Sequence, residues 1–152
     1  MRNSHHLSAA LAAALIYSPW TKDCPKAKHG GCVMTSEART ESGDFVASAV
    51  VVEPEGGALP ILRVGLPLGV LLFKSVSAAV DQEPAVAGAY TVCLPSGCLA
   101  DIEPSRGLIG KLKKGRGIIL RWSDRDGSDA SCVVPLEGFA EALSGPPARA
   151  KD

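Results

Sequence analysis

An all-β fold is what this sequence predicts, a single-domain β-sandwich of short antiparallel strands with two short peripheral helices. Three observations carry that expectation. Glycine (16 residues) and proline (11 residues) are frequent, and the apolar runs between them are short, a pattern of many brief strands. Two pairs of cysteines, Cys24 with Cys32 and Cys93 with Cys98, each bracket a turn-forming stretch. Helical spacing of apolar residues occurs in two places, both late in the chain. At 152 residues the chain is long enough to bury one core.

The N-terminal segment carries Arg2 and two histidines, then an apolar run over residues 7–17 built on Leu and Ala. A bilayer span needs about 20 residues, so the run is too short to cross. It fits the h-region of a secretory signal peptide. Residues 1–18 are therefore read as a leader, 19–147 as the folded domain and 148–152 as a frayed tail. Ser18 precedes Pro19, a poor residue after a cleavage point. Five cysteines agree with an oxidising compartment.

Residues 20–24 and 32–36 read as two short strands around a Gly30-Gly31 return, closed by a Cys24–Cys32 disulfide. Residues 37–43 read as polar connection. Residues 45–53 are apolar on both faces, which suits a strand covered on two sides. Leu62, Val64 and Leu66 alternate with Ile61, Arg63 and Gly65 and give the next strand a core face. After Pro67 and Gly69, residues 70–73 read as a further strand or a bent extension, with core the expected environment. Val76, Ala78 and Val80 alternate with Ser75, Ser77 and Asp81, the pattern of a half-exposed strand. Tyr90-Thr91-Val92 then leads to Cys93. Pro95 presets the first corner of a tight turn and Gly97 tolerates its exit, so chain reversal brings Cys93 opposite Cys98.

Residues 104–114 start with Pro104 and end with Lys113, Lys114 and Gly115, the signals of a short helix. Leu136, Phe139, Ala140 and Leu143 form a stripe at helical spacing, stopped by Gly145-Pro146-Pro147. Between the helices, residues 118–122 and 132–134 make a hairpin closed by Asp124-Arg125-Asp126-Gly127. Cys132 is expected to be a free thiol packed as a small hydrophobe.

Several of these segments occur together in an order that resembles a known family. They are Ser18-Pro19-Trp20-Thr21-Lys22-Asp23-Cys24, Ile61-Leu62-Arg63-Val64-Gly65-Leu66-Pro67-Leu68-Gly69, Cys93-Leu94-Pro95-Ser96-Gly97-Cys98, Lys111-Leu112-Lys113-Lys114-Gly115 and Pro135-Leu136-Glu137-Gly138-Phe139. Together they resemble the invasion-associated locus B family of Gram-negative bacteria, from about Ser18 to Pro147. The resemblance implies an exported, β-rich, single-domain protein of the periplasm or cell envelope, with no known catalytic residues. Some members of the family are linked to host-cell invasion. In the family a spacer usually separates the signal peptide from the Trp-Thr-Lys strand, whereas here the apolar run abuts it. Cys132 lies outside the four-cysteine pattern of the family.

The residues themselves argue against catalysis. The histidines are His5 and His6 in the leader and His29 in a hairpin, so no core histidine serves a nucleophilic Ser or Cys. Cys24, His29 and Cys32 offer three zinc ligands where a structural site wants four, and exported thiols oxidise first. Asp124, Asp126 and Asp129 are spaced somewhat like a calcium loop but lack its terminal Glu. No metal and no cofactor is expected.

Lys plus Arg and Asp plus Glu both total 16, leaving no basic excess to recruit nucleic acid. Lys111, Lys113, Lys114 and Arg116 do form a local basic patch, with Arg106 nearby. It reads either as a solvated helix end that suits the helix dipole or as a docking surface for an acidic partner or anionic lipid. The expected function is a non-catalytic, exported envelope protein with a protein or envelope partner, peripheral membrane contact being compatible with it. The alternative is a periplasmic small-ligand or stress-related binding protein with no host role.

Overall fold

The computed structural model describes residues 14–25 and 31–148. Its strands are β1 (Leu15–Tyr17), β2 (Thr21–Asp23), β3 (Cys32–Thr40), β4 (Phe45–Glu53), β5 (Ile61–Leu66), β6 (Val76–Val80), β7 (Val86–Leu94), β8 (Gly97–Ile102), β9 (Gly117–Ser123) and β10 (Asp129–Pro135). Two helices, α1 (Leu108–Lys114) and α2 (Phe139–Ser144), flank the last hairpin. The chain is all-β with two short helices.

The strands form one continuous antiparallel sheet in the order β1-β3-β4-β5-β8-β7-β6-β9-β10, with β2 also pairing with β3. The sheet rolls until its inner face packs upon itself as the two halves of a sandwich would. Its two margins meet near Tyr17 and Trp20. The Trp20 indole Nε1 donates to the Pro135 carbonyl at 2.9 Å, tying the β1–β2 connection to the end of β10.

Period-two patterning explains the core. Met34, Ala47, Ala49, Val51, Leu62, Val64 and Leu66 point inward from three neighbouring strands, all essentially inaccessible to water. Val76, Leu120, Val134 and Phe139 face them from the other half. Small alanines on β3 and β4 let the sheet curve tightly while keeping the interior filled.

Several expectations need correction. The stretch 37–40 is strand, not connection, because Ser36 and Ala38 are buried and Glu37 and Arg39 face out. β4 is covered fully on one face alone: Val50 and Val52 stay half-buried, since no second layer lies outside them. β6 is more enclosed than its serines suggest, with Val76, Ala78 and Ala79 buried, because it pairs with both β7 and β9. Residues 70–73 are not a strand of the sheet. Leu15–Tyr17, inside the stretch read as leader, is a strand paired with Ala38–Thr40 of β3.

The registers sort the connections to two ends. At one lie the Cys24–Cys32 bridge, the turns after β4 and β6, and both helices. At the other lie the β3–β4 turn, the β5–β6 loop, the β7–β8 turn with the Cys93–Cys98 bridge, and the β9–β10 turn.

Candidate functional site

The helix end is a plug. Phe139 meets Trp20 edge-to-face, ring centroids 5.1 Å apart, and Leu112 and Leu136 fill the space beside them. The Lys22 ammonium donates to the carbonyls of Leu143 at 2.7 Å and Gly145 at 3.0 Å. A cation there satisfies helix-end acceptors and suits the dipole. Trp20-Thr21-Lys22 thus locks α2 over this end of the sheet.

The basic patch lies at the same end, and carboxylates of the β6–β7 turn attend two of its members. Lys111 pairs with Glu83 at 3.2 Å. Asp81, at a φ of 54°, accepts the backbone N–H groups of Arg116 and Gly117 at 2.9 and 3.0 Å. Aspartate tolerates that left-handed geometry, and its bonds fix the entry to β9. Lys113 and Lys114 project from the last turn of α1 without an ion-pair partner among the described residues. Of the four cations only Lys111 is engaged in an ion pair among the described residues, and Arg116 is tied to Asp81 through its backbone rather than its guanidinium.

The opposite end is built differently. The β5–β6 loop bends at Gly69, with φ at 102°. Val70 then bridges to Asp124, and the Leu71 N–H donates to the Ser123 carbonyl at 2.9 Å. The Lys74 N–H returns to the Leu71 carbonyl at 3.3 Å, closing a turn whose two corners are Leu72 and Phe73. Turn corners usually take Gly, Pro, Asn, Asp or Ser. Here Phe73 is 83% exposed, Leu72 54% and Leu68 58%. Leu94 is exposed on the neighbouring β7–β8 turn, where Gly97 packs so tightly on the Leu66 carbonyl that a Cβ would collide. An apolar tip is thus held out in water by fixed backbone.

Sequence reasoning missed Leu68, Leu72 and Phe73 as surface residues. The available signal was the Leu71-Leu72-Phe73 run lying beyond Pro67 and Gly69, with no alternation to assign it a buried face.

Around this tip charges of both signs alternate, Lys74 and Arg125 against Asp124 and Asp126. The Asp126 carboxylate accepts the Ser128 hydroxyl at 2.7 Å and its N–H at 2.9 Å, which holds its pKa below the usual range. That carboxylate is committed to the turn. Among the described residues no cluster of three or more His, Cys, Asp or Glu side chains could hold a metal. His29 lies outside the described residues.

A groove of about 330 Å³ runs along the outer face beside the tip, lined by Arg39, Phe45, Ser48, Leu94 and Leu99 among others. Gly65 forms its floor, and a side chain there would strike the Ser48 hydroxyl. Next to Gly65 on β5, Arg63 grips Asp101 through two bonds of 2.7 and 3.1 Å, which raises the guanidinium pKa further.

The structure holds disulfides Cys24–Cys32 and Cys93–Cys98 and leaves Cys132 free and buried. Burial pushes the Cys132 thiol up to about 11. The Tyr17 phenol is raised as well, first by burial and then by Cys132. Neither group is poised to act as a nucleophile or base near neutral pH.

The family model described as Invasion associated locus B (IalB) protein matches residues 20–147. The chain belongs to the invasion associated locus B family. It is 28% identical over 130 residues to the Invasion protein B homologs of Brucella abortus strain 2308 and of biovar 1 strain 9-941. Each alignment covers 84% of this chain and 75% of the relative. The fold is shared with the crystal structure of invasion associated protein b from Bartonella henselae. The TM-score is 0.71 at 22% identity, over 84% of this chain and 91% of that one. In this locus B fold the matched span begins at Trp20 and ends beyond α2, so it takes in the plugged end and the apolar end alike. No helix among the described residues is long and apolar enough to cross a membrane.

Proposed function

We propose that this locus B chain is an exported envelope protein that works by binding a protein partner through its apolar end, without turnover. The Leu68-Leu72-Phe73 tip is the observation that carries this reading. Exposing three large apolar side chains on a clamped loop forgoes part of the roughly 1.5–3 kcal/mol that full burial of each would contribute, most of all at Phe73, and a bound partner recovers it. Local charges decide the class of partner. Lys74 and Arg125 are offset by Asp124 and Asp126, so no basic cluster draws the tip to anionic headgroups. A protein with an apolar pocket fits it better.

Export to the periplasm or outer envelope is supported by the disulfides, which persist in oxidising compartments. A role in host-cell interaction is supported by the relatives named as invasion proteins. The basic surface of Lys111, Lys113, Lys114 and Arg116 is a secondary contact in this proposal, acting through long-range attraction.

Retention of the purified protein by envelope fractions tests the reading, comparing the wild type with the Leu72→Ser/Phe73→Ser variant. The variant is expected to lose retention while melting at the wild-type temperature. Equal retention would overturn the assignment of the apolar end, and reproducible substrate turnover would overturn the non-catalytic reading.

A further inference from the structure

Strand β7 outruns one of its two neighbours. β8 pairs with it from Gly88 to Leu94, whereas β6 stands opposite Val86, Ala87 and Gly88 alone. The register explains the shortfall. Val76, the first residue of β6, is opposite Gly88, so a β6 that began earlier would face residue 89 and those beyond it. Instead the β5–β6 loop crosses towards β9, where Val70 bridges to Asp124 and the Leu71 N–H donates to the Ser123 carbonyl. Among the described residues, no hydrogen bond reaches residues 89–94 from the side that β6 does not cover. Alternate N–H and C=O groups of extended backbone face water there.

The margin of the sheet at β10 is managed differently. The Trp20 indole donates to the Pro135 carbonyl, and the Tyr17 phenol bonds to the backbone at Val133. Open edges are usually blunted by lysine, proline or another charge, and residues 86–94 contain none of these. One irregularity breaks the edge, at Thr91, where the register with β8 slips between Tyr90 and Val92. Val92 and Leu94 are 42% and 46% exposed beside it. Pairing with β8 and the Cys93–Cys98 bridge hold this stretch in strand form before anything binds, which lowers the ordering cost of association.

We propose that an uncharged, extended strand of a partner protein adds to the open edge of β7 at residues 89–94, in line with β6. Main-chain donors and acceptors in a row are matched in kind by another extended backbone. Residues 86–100 carry no charged side chain, so nothing on this edge compensates a charge on the incoming strand. A second copy of the chain would bring the same slip at Thr91 to both sides of the new ladder, which favours a foreign strand. The inference rests on the protein-binding reading above and gives that partner its form. Phe73 lies just upstream of Val76, so the apolar tip and the open edge border one gap.

Residue-by-residue amide hydrogen exchange on the full chain tests this with two probes. One is a capped peptide of alternating threonine and valine, the other the same peptide N-methylated at every amide. The plain peptide is expected to slow exchange within residues 89–94 and to leave β10 unchanged. Its methylated counterpart keeps the side chains but has no donors, and is expected to bind at least about tenfold more weakly. Equal binding of the two would overturn strand addition while leaving the apolar tip, which the envelope-retention comparison tests separately. Failure of the plain peptide to protect residues 89–94 would overturn it as well. Val92→Lys puts a charge on the edge at an exposed position, and is expected to abolish protection while melting at the wild-type temperature. Undiminished protection in that variant would refute the site. Protection that grows with protein concentration when no peptide is present would name a second copy as the occupant and overturn the foreign strand.

Discussion

The two ends of this barrel-like sheet use apolar residues in opposite ways. At the helix end Trp20, Leu112, Leu136 and Phe139 turn inward and shut the interior, and Lys22 fastens α2 over them. At the other end Val70 packs against the core, while Leu68, Leu72 and Phe73 face water. Both ends are rigid, but rigidity serves closure in one and display in the other. Burial therefore separates the aromatic residues that hold the fold from the one available to a partner.

Substitutions at the plug should have the largest effects. Phe139→Ala removes a fully buried ring and its edge-to-face partner, with an expected loss of about 3–5 kcal/mol in urea denaturation. A loss below about 1 kcal/mol would mean that α2 is a loose appendage and that the helix end is not closed.

Next comes the interior between the ends. Cys132 is neutral when folded until about pH 11, against 9.0 for an ordinary thiol. Above the ordinary value the unfolded thiol loses its proton while the folded one keeps it, so the unfolded state binds fewer protons and stability falls as pH rises. Between about pH 9 and 11 the decline should approach 2–3 kcal/mol at about 1.4 kcal/mol per pH unit. Denaturation curves for the wild type and Cys132→Ala across this range check it. Tyr17 adds a loss of the same sign at the alkaline end, and in the variant only the part due to its burial should survive.

A smaller effect sharpens the apolar end. Replacing Cys93 and Cys98 together by alanine reopens a short loop and should cost about 2 kcal/mol. Hydrogen exchange should then rise around residues 94–97 and the neighbouring β5–β6 loop, leaving β10 and α2 protected. Uniform loosening would show that the two ends are coupled.

Much of this division was readable beforehand, and the remainder has physical causes. The strands of the β7–β8 and β9–β10 hairpins follow from alternation and turn residues, and the α2 stripe follows from its spacing. The reach of β3 to Thr40 was obscured because Glu37, Arg39 and Thr40 look like loop residues, although Ala38 among them is buried. β1 was hidden because a short strand and a leader share the same apolar composition. The tip was hidden for a related reason: composition reports that Leu72 and Phe73 are apolar, while long-range bonds to Ser123 and Asp124 decide that they face water. At the helix end the lysine cluster was visible, but its pairing with Glu83 needed the β6–β7 turn in place.

The smallest effects concern surfaces. Neutralising Lys111, Lys113, Lys114 and Arg116 together should change stability by about 0.5 kcal/mol or less, because the Lys111–Glu83 pair is solvent-exposed. Envelope association should weaken modestly at low salt and be unchanged at high salt. A loss independent of salt would transfer the principal contact to the helix end.

Site-specific photocrosslinking in envelope preparations tests the contrast most directly. One probe replaces Phe73 at the apolar tip and another replaces exposed Glu137 at the helix end. The predicted result is a discrete protein adduct from position 73, absent from position 137 and lost when Leu72→Ser is added. An adduct from position 137 alone, or lipid as the main product at position 73, would contradict the assignment of a protein-binding surface to the apolar end.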